Sequence, residues 1–181
     1  MDTIEEIRQV KYRYLRCVDL KLWDELGDTL TERAILDFGT TDFGTELEIA
    51  GRSEIVAFNR AKFGPSTLTT HTAAQPEITV EGDAAAGVWS LREMLLATQH
   101  GMIITAAAFH YDRYERGSDG CWRIARSSYA RSYEAMVSLS DLPSFKIISG
   151  LGGETAEKAP ADAVAGGGDA GPGGRPARRG R

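Results

Sequence analysis

Two cysteines and three histidines are all the thiols and imidazoles that this chain of 181 residues offers to a metal or a disulfide framework. Cys17 falls in a helical stretch and Cys121 beside a turn, a spacing that suits neither a disulfide scaffold nor a zinc site. No window approaches the roughly 18 continuous apolar residues of a membrane span, so no membrane role is expected. The amino terminus is charged and lacks an apolar h-region, which makes the cytoplasm the expected compartment. Basic residues are in deficit too, and a net charge of -5 argues against nucleic acid as the main partner. No glycine-rich phosphate loop follows a strand and opens a helix, and no Gly-x-Ser-x-Gly elbow occurs. No cofactor and no metal are expected.

Glycine is plentiful but uneven. Half of it lies from Gly150 onward, including Gly166 to Gly168, and the chain closes on Arg178-Arg179-Gly180-Arg181. Residues 150–181 hold almost no large apolar side chain and cannot bury enough surface to offset their ordering entropy. They read as a disordered tail behind one compact domain, 1–149, of about 145 folded residues.

Within that domain the opening stretch carries the clearest pattern. Ile4, Ile7, Val10, Tyr14 and Val18 repeat as one face of a 3.6-residue helix. Asp2 or Thr3 serves as N-cap, and Glu5 and Glu6 suit the positive end of the dipole. Asp19 follows Val18 by one residue, about 100° around the helix, at the border of the buried stripe. A short helix near Trp23–Leu26 comes next, then strands Ala34–Phe38 and Glu46–Ala50 around the turn 39–44. A second helix opens at Gly51-Arg52-Ser53 with Ser53 as N-cap, turns Ile55, Phe58 and Ala61–Phe63 inward, and stops at Gly64-Pro65. The rest is β in character. Thr67–Ala73 and Ile78–Val80 precede three long strands: Ala84–Thr98, Met102–Arg116 and Cys121–Tyr133. Helices in front and an antiparallel meander behind predict an α+β fold, its helices packed on a strongly curved sheet.

The order of elements and the closing Tyr114-Glu115-Arg116 with Asp119-Gly120-Cys121-Trp122-Arg123-Ile124 resemble the SnoaL-like branch of the NTF2-like superfamily. The resemblance covers residues 3–134 and implies a cone-shaped α+β barrel. Within the branch the chain looks most like cofactor-free lyases: scytalone dehydratase, bile acid 7α-dehydratase and lindane dehydrochlorinase. These place an Asp at the end of helix 1 and a His on the strand after the second helix, and Asp19 and His71 stand at those positions. Tyr14 matches the place of a Tyr or Lys in the relatives, and His110 that of a pocket aromatic. A count from Trp122 brings Ser127, with Arg126 and Tyr129 beside it, to the place of the dehydrochlorinase's pocket Arg. The second pocket Asp of the bile acid enzyme has no match, because the corresponding stretch reads Arg92-Glu93-Met94.

The residues themselves suit β-elimination. Histidine titrates nearest neutrality, and a carboxylate on one ring nitrogen fixes its tautomer and stabilises the imidazolium. His71 is the expected general base, Asp19 its orienter, and Tyr14, His110, Ser127 and Tyr129 the substrate contacts. His71 shares a strand face with Thr69 and Ala73. Neither face of that strand is decisively apolar, so periodicity leaves its direction open. His110 lies on a face with Ala106, Ala108 and Asp112, small residues that leave room for a ligand, whereas His100 sits in an exposed turn. The resemblance implies a hydrophobic hydroxylated carbonyl substrate and a homodimer or homotrimer. Two other functions fit the same fold: a polyketide cyclase with Asp19 as acid, and a non-catalytic ligand carrier or partner subunit.

Overall fold

The computed structural model describes residues 2–40 and 46–150. Most of the sequence-predicted turn 39–44 and all of the predicted tail except Gly150 lie outside those residues. Helix α1 (Thr3–Leu20) is followed by α2 (Trp23–Asp28), strands β1 (Leu30–Thr40) and β2 (Glu46–Ala50), and helix α3 (Arg52–Lys62). Strands β3 (Thr67–Glu81), β4 (Ala84–Ala97), β5 (Met102–Arg116) and β6 (Trp122–Ser138) complete the domain. They form one curved six-stranded sheet in the order β2-β1-β6-β5-β4-β3. Every pairing is antiparallel except β1 with β6.

The helices cover the inner face. Ile7, Val10, Tyr14, Leu15 and Val18 of α1 are buried with Leu26, Leu30, Leu36, Ile55, Leu91, Tyr114, Trp122 and Ile124. Ile4, in the first turn of the helix, stays half-buried. α1 ends where Lys21 enters the left-handed region at φ 62, returning its N–H to Cys17 and Val18 carbonyls. Trp89 is fully buried, and its Nε1 donates to the Tyr114 hydroxyl at 3.0 Å. Gly87 makes that contact possible, since a Cβ there would lie 3.0 Å from Trp89 Nε1.

Several boundaries differ from the sequence reading, each for a tertiary reason. β1 starts at Leu30 because parallel pairing of Leu30 with Ile124 draws the preceding residues into the sheet. β6 runs on to Ser138 because β5 offers partners as far as Met102. The two predicted pieces around Pro76 are one strand, β3, an edge strand where a missing N–H is tolerated. Ser53 is not the N-cap of α3. Gly51, at φ 100, takes that place, anchored by its N–H to the Ala34 carbonyl at 2.8 Å. Ala61 faces outward, and the buried positions of α3 are Ile55 and Asn59.

Candidate active site

Asp19, at the end of α1, faces the start of β3, the strand that packs along the helix. Its Oδ1 accepts from the Thr69 hydroxyl at 2.8 Å and stands 2.6 Å from His71 Nδ1. Its Oδ2 accepts from the His71 backbone N–H at 3.0 Å. Three contacts from one short stretch hold the carboxylate, and the ring tautomer with hydrogen on Nδ1 follows. Lys21 adds a donor to the Thr69 hydroxyl at 3.2 Å. The alternation of β3 resolves what periodicity left open: Thr69, His71 and Ala73 point inward, while Thr70 and Thr72 are exposed.

His71 Nε2 meets a second carboxylate, Glu93 Oε2, at 3.3 Å. The two residues are direct cross-strand partners in the β3–β4 ladder. Burial pushes the His71 pKa down, but the hydrogen bonds and charges of Asp19 and Glu93 outweigh it, and the net shift is upward. Burial likewise pushes Glu93 up, and His71 with the nearby Lys62 brings it below its ordinary value. Because the folded-state pKa of His71 lies above the unfolded value of about 6.5, its stabilising contribution is full below that pH. It fades as pH rises through the folded-state pKa. Asp19→Asn is therefore expected to lower the His71 pKa. A proton NMR titration checks this, with the three histidines assigned by substitution, and an unmoved His71 would show the pair to be uncoupled.

His71, Glu93 and His110 open onto a cavity of about 540 Å³, counting the part open to solvent. Tyr14, Asn59 and Lys62 add polar groups to its lining, and Leu15, Val18, Phe38, Phe63, Leu91, Ala108 and Tyr129 make the rest apolar. Asp19 lies behind the imidazole, outside that lining. Burial raises the Tyr14 hydroxyl well above the usual phenol range, with Asp112 adding to it, so the group remains a neutral donor. The Tyr129 ring stacks on His110 at 5.4 Å, and its hydroxyl accepts from Arg131 at 3.1 Å. The Lys62 ammonium sits 5.1 Å from the Phe38 and Phe63 ring centres.

Behind His110 is a buried polar network. Lys11 Nζ lies 2.7 Å from Asp112 Oδ2 and 3.0 Å from His110 Nδ1. Asp112 also accepts from Tyr114 at 2.7 Å and from Ser127 at 2.6 Å. Ser127 thus departs from its expected role. It is buried and does not line the cavity, because its hydroxyl is committed to Asp112. The other five expected site residues converge: Tyr14, His71, His110 and Tyr129 on the cavity, and Asp19 on His71. Glu93, Asn59, Lys62 and Lys11 were not foreseen. Lys11 left a signal, since Ile7, Lys11, Tyr14 and Val18 form the centre line of the α1 stripe. Among the described residues no group of three His, Cys, Asp or Glu side chains is arranged to hold a metal ion. No helix among them is long and apolar enough to cross a membrane.

A curved sheet wrapped on one side by helices, with a polar-based cavity between them, defines the cone-shaped α+β class of the NTF2-like fold. The chain belongs to the SnoaL-like domain family, whose model matches residues 1–128. It is similar to the Kfla4162 protein of Kribbella flavida, with a TM-score of 0.65 at 25% identity over 72% of this chain and 91% of that one. The hexachlorocyclohexane dehydrochlorinase LinA-type3 of Novosphingobium barchaimii matches with a TM-score of 0.62 at 18% identity, covering 75% and 90%. ActVI-ORFA of Streptomyces coelicolor matches with a TM-score of 0.58 at 11% identity, covering 71% and 96%.

Proposed function

We propose that this protein is a cofactor-independent lyase of the dehydratase type, acting on a hydrophobic carbonyl compound that carries a hydroxyl on its β carbon. The observation that carries the reading is the 2.6 Å contact of Asp19 with His71 Nδ1, while Nε2 lies on the side of a mostly apolar cavity, 3.3 Å from Glu93 Oε2. His71 Nε2 takes a proton from the carbon next to the carbonyl while Asp19 stabilises the imidazolium. The electron pair of that C–H bond moves toward the carbonyl oxygen, held by Tyr14 and His110. As the pair returns to form the C=C bond, the C–O bond breaks and His71 gives its proton to the departing hydroxyl, which leaves as water. A fold relative that is a dehydrochlorinase by name supports elimination as the reaction class. Cyclisation with Asp19 as acid is less well supported, since both its oxygens are engaged away from the cavity.

The test is a panel of β-hydroxy ketones and thioesters, scored by the absorbance of the conjugated product. Turnover that His71→Gln lowers by about 10² or more supports the reading. Turnover that stays near the native rate after that change sinks it, and so does a panel that binds without any reaction.

The same reading includes a homodimer or homotrimer. Phe109, Tyr111 and Tyr133 stand exposed on the outer face of β5 and β6, at 46%, 49% and 47% of their surface. Such an apolar stripe on a sheet favours pairing with a second copy. Sedimentation velocity is expected to give a multiple of the chain mass, and Phe109→Lys with Tyr111→Lys to reduce it to one. A native chain that sediments as a monomer refutes this.

A further inference from the structure

We infer that Lys11 is a positioning residue that locks His110 in the tautomer with hydrogen on Nε2, making it a fixed neutral donor to a carbonyl or enolate oxygen in the cavity. An ammonium group donates only, so the His110 Nδ1 that it approaches at 3.0 Å must present its lone pair. Ser127, 3.4 Å from the same nitrogen, gives its one hydrogen to Asp112 at 2.6 Å and cannot compete. Asp112 holds Lys11 at 2.7 Å, and both side chains have no exposed surface, so the arrangement is closed to solvent. The single ring hydrogen then belongs to Nε2. Among the described residues no group bonds that atom, nor is it among the sealed-off polar atoms without a partner, so it opens to the cavity that His110 lines.

The surroundings keep the ring neutral. Burial, then the Lys11 charge, pushes the His110 pKa down to about 3, against an opposing contribution from Asp112. Lys11 and Asp112 face it from behind, and His71, Glu93, Tyr14 and Tyr129 share the cavity in front. None of these reverses the direction. A neutral imidazole is a poor proton source but a good hydrogen-bond donor, which suits an oxygen that gains negative charge without being protonated. With Tyr14 it gives two neutral donors, set apart from the proton-transferring His71. The identity of the ligand oxygen rests on the dehydratase reading. The state of the ring does not.

Long-range ¹H–¹⁵N NMR of the full chain, without substrate, tests the inference. His110 is expected to show hydrogen on Nε2 alone, unchanged between about pH 5 and pH 9, where an ordinary histidine titrates. In Lys11→Met with Asp112→Asn, which removes both charges together, the single-tautomer signature is expected to be lost. Hydrogen on Nδ1 in the native chain, or titration near the ordinary value, overturns the inference. An unchanged signature in the double variant also overturns it. A chain that passes this test yet turns over no β-hydroxy carbonyl compound fails only the dehydratase reading.

Discussion

Turnover of a β-hydroxy carbonyl substrate is expected to fall by about 10² to 10⁴ when His71 is replaced by glutamine, the usual span for a positioned proton-transfer group. Glutamine keeps the size and the ability to donate toward Asp19, but it cannot carry a proton between carbon and oxygen. The fold should survive the change. Thr69 still donates to Asp19 Oδ1, and the backbone N–H at position 71 still donates to Oδ2. A far-UV spectrum and melting curve close to native, with the activity gone, separate loss of chemistry from loss of structure.

The pH profile adds a sharper form of the same expectation. As a base, His71 works in its neutral form, and Asp19 and Glu93 favour the charged form. The rate should therefore rise with pH, with a midpoint above the ordinary histidine value of about 6.5. Glu93→Gln removes one of the two groups that raise the pKa, so the rising limb should move to lower pH. A limb that stays in place separates Glu93 from the titration of His71.

Some parts of this site were legible in the sequence because they follow local rules, whereas the pairing of Asp19 with His71 came from the family resemblance. The α1 stripe is a matter of helical spacing, and Asp19 at its border follows from one residue's rotation. His110 on a face of small residues follows from strand alternation, and Ala106 and Ala108 are indeed buried beside it. The parts that were missed depend on register and on distant partners. Counting from the Gly82-Asp83 turn, where Glu81 pairs with Ala84, an unbroken hairpin would set Met94 opposite His71. The ladder shifts by one residue between Ala74 and Glu77, where Gln75 takes φ 51, and Glu93 arrives there instead. One bulge thus exchanges a methionine for a second carboxylate at the imidazole. Ser127 fails for the related reason that a count along β6 gives its place but not its partner. That partner, Asp112, is its direct neighbour on β5.

Lys11 is the residue that hydropathy reading handles worst, since a charge in an apolar stripe reads as a break in the pattern. Its removal should have the largest effect on stability. Lys11→Met leaves Asp112 buried with its charge uncompensated, and breaking a fully buried pair from one side costs about 3 to 5 kcal/mol. Domains of this kind are stable by only about 5 to 15 kcal/mol, so the variant should unfold at much lower urea concentration. Tyr114 and Ser127 still donate to Asp112 and soften the loss without supplying the missing charge. The double change Lys11→Met with Asp112→Asn removes both charges and should recover a good part of the stability, because an amide oxygen can still accept from either hydroxyl. A double-mutant cycle in urea measures the coupling directly. If Lys11→Met alone stays within about 1 kcal/mol of native, the range of ordinary substitutions, the buried pair does not hold α1 to β5. His110 would then lose the rigid backing that its single tautomer requires.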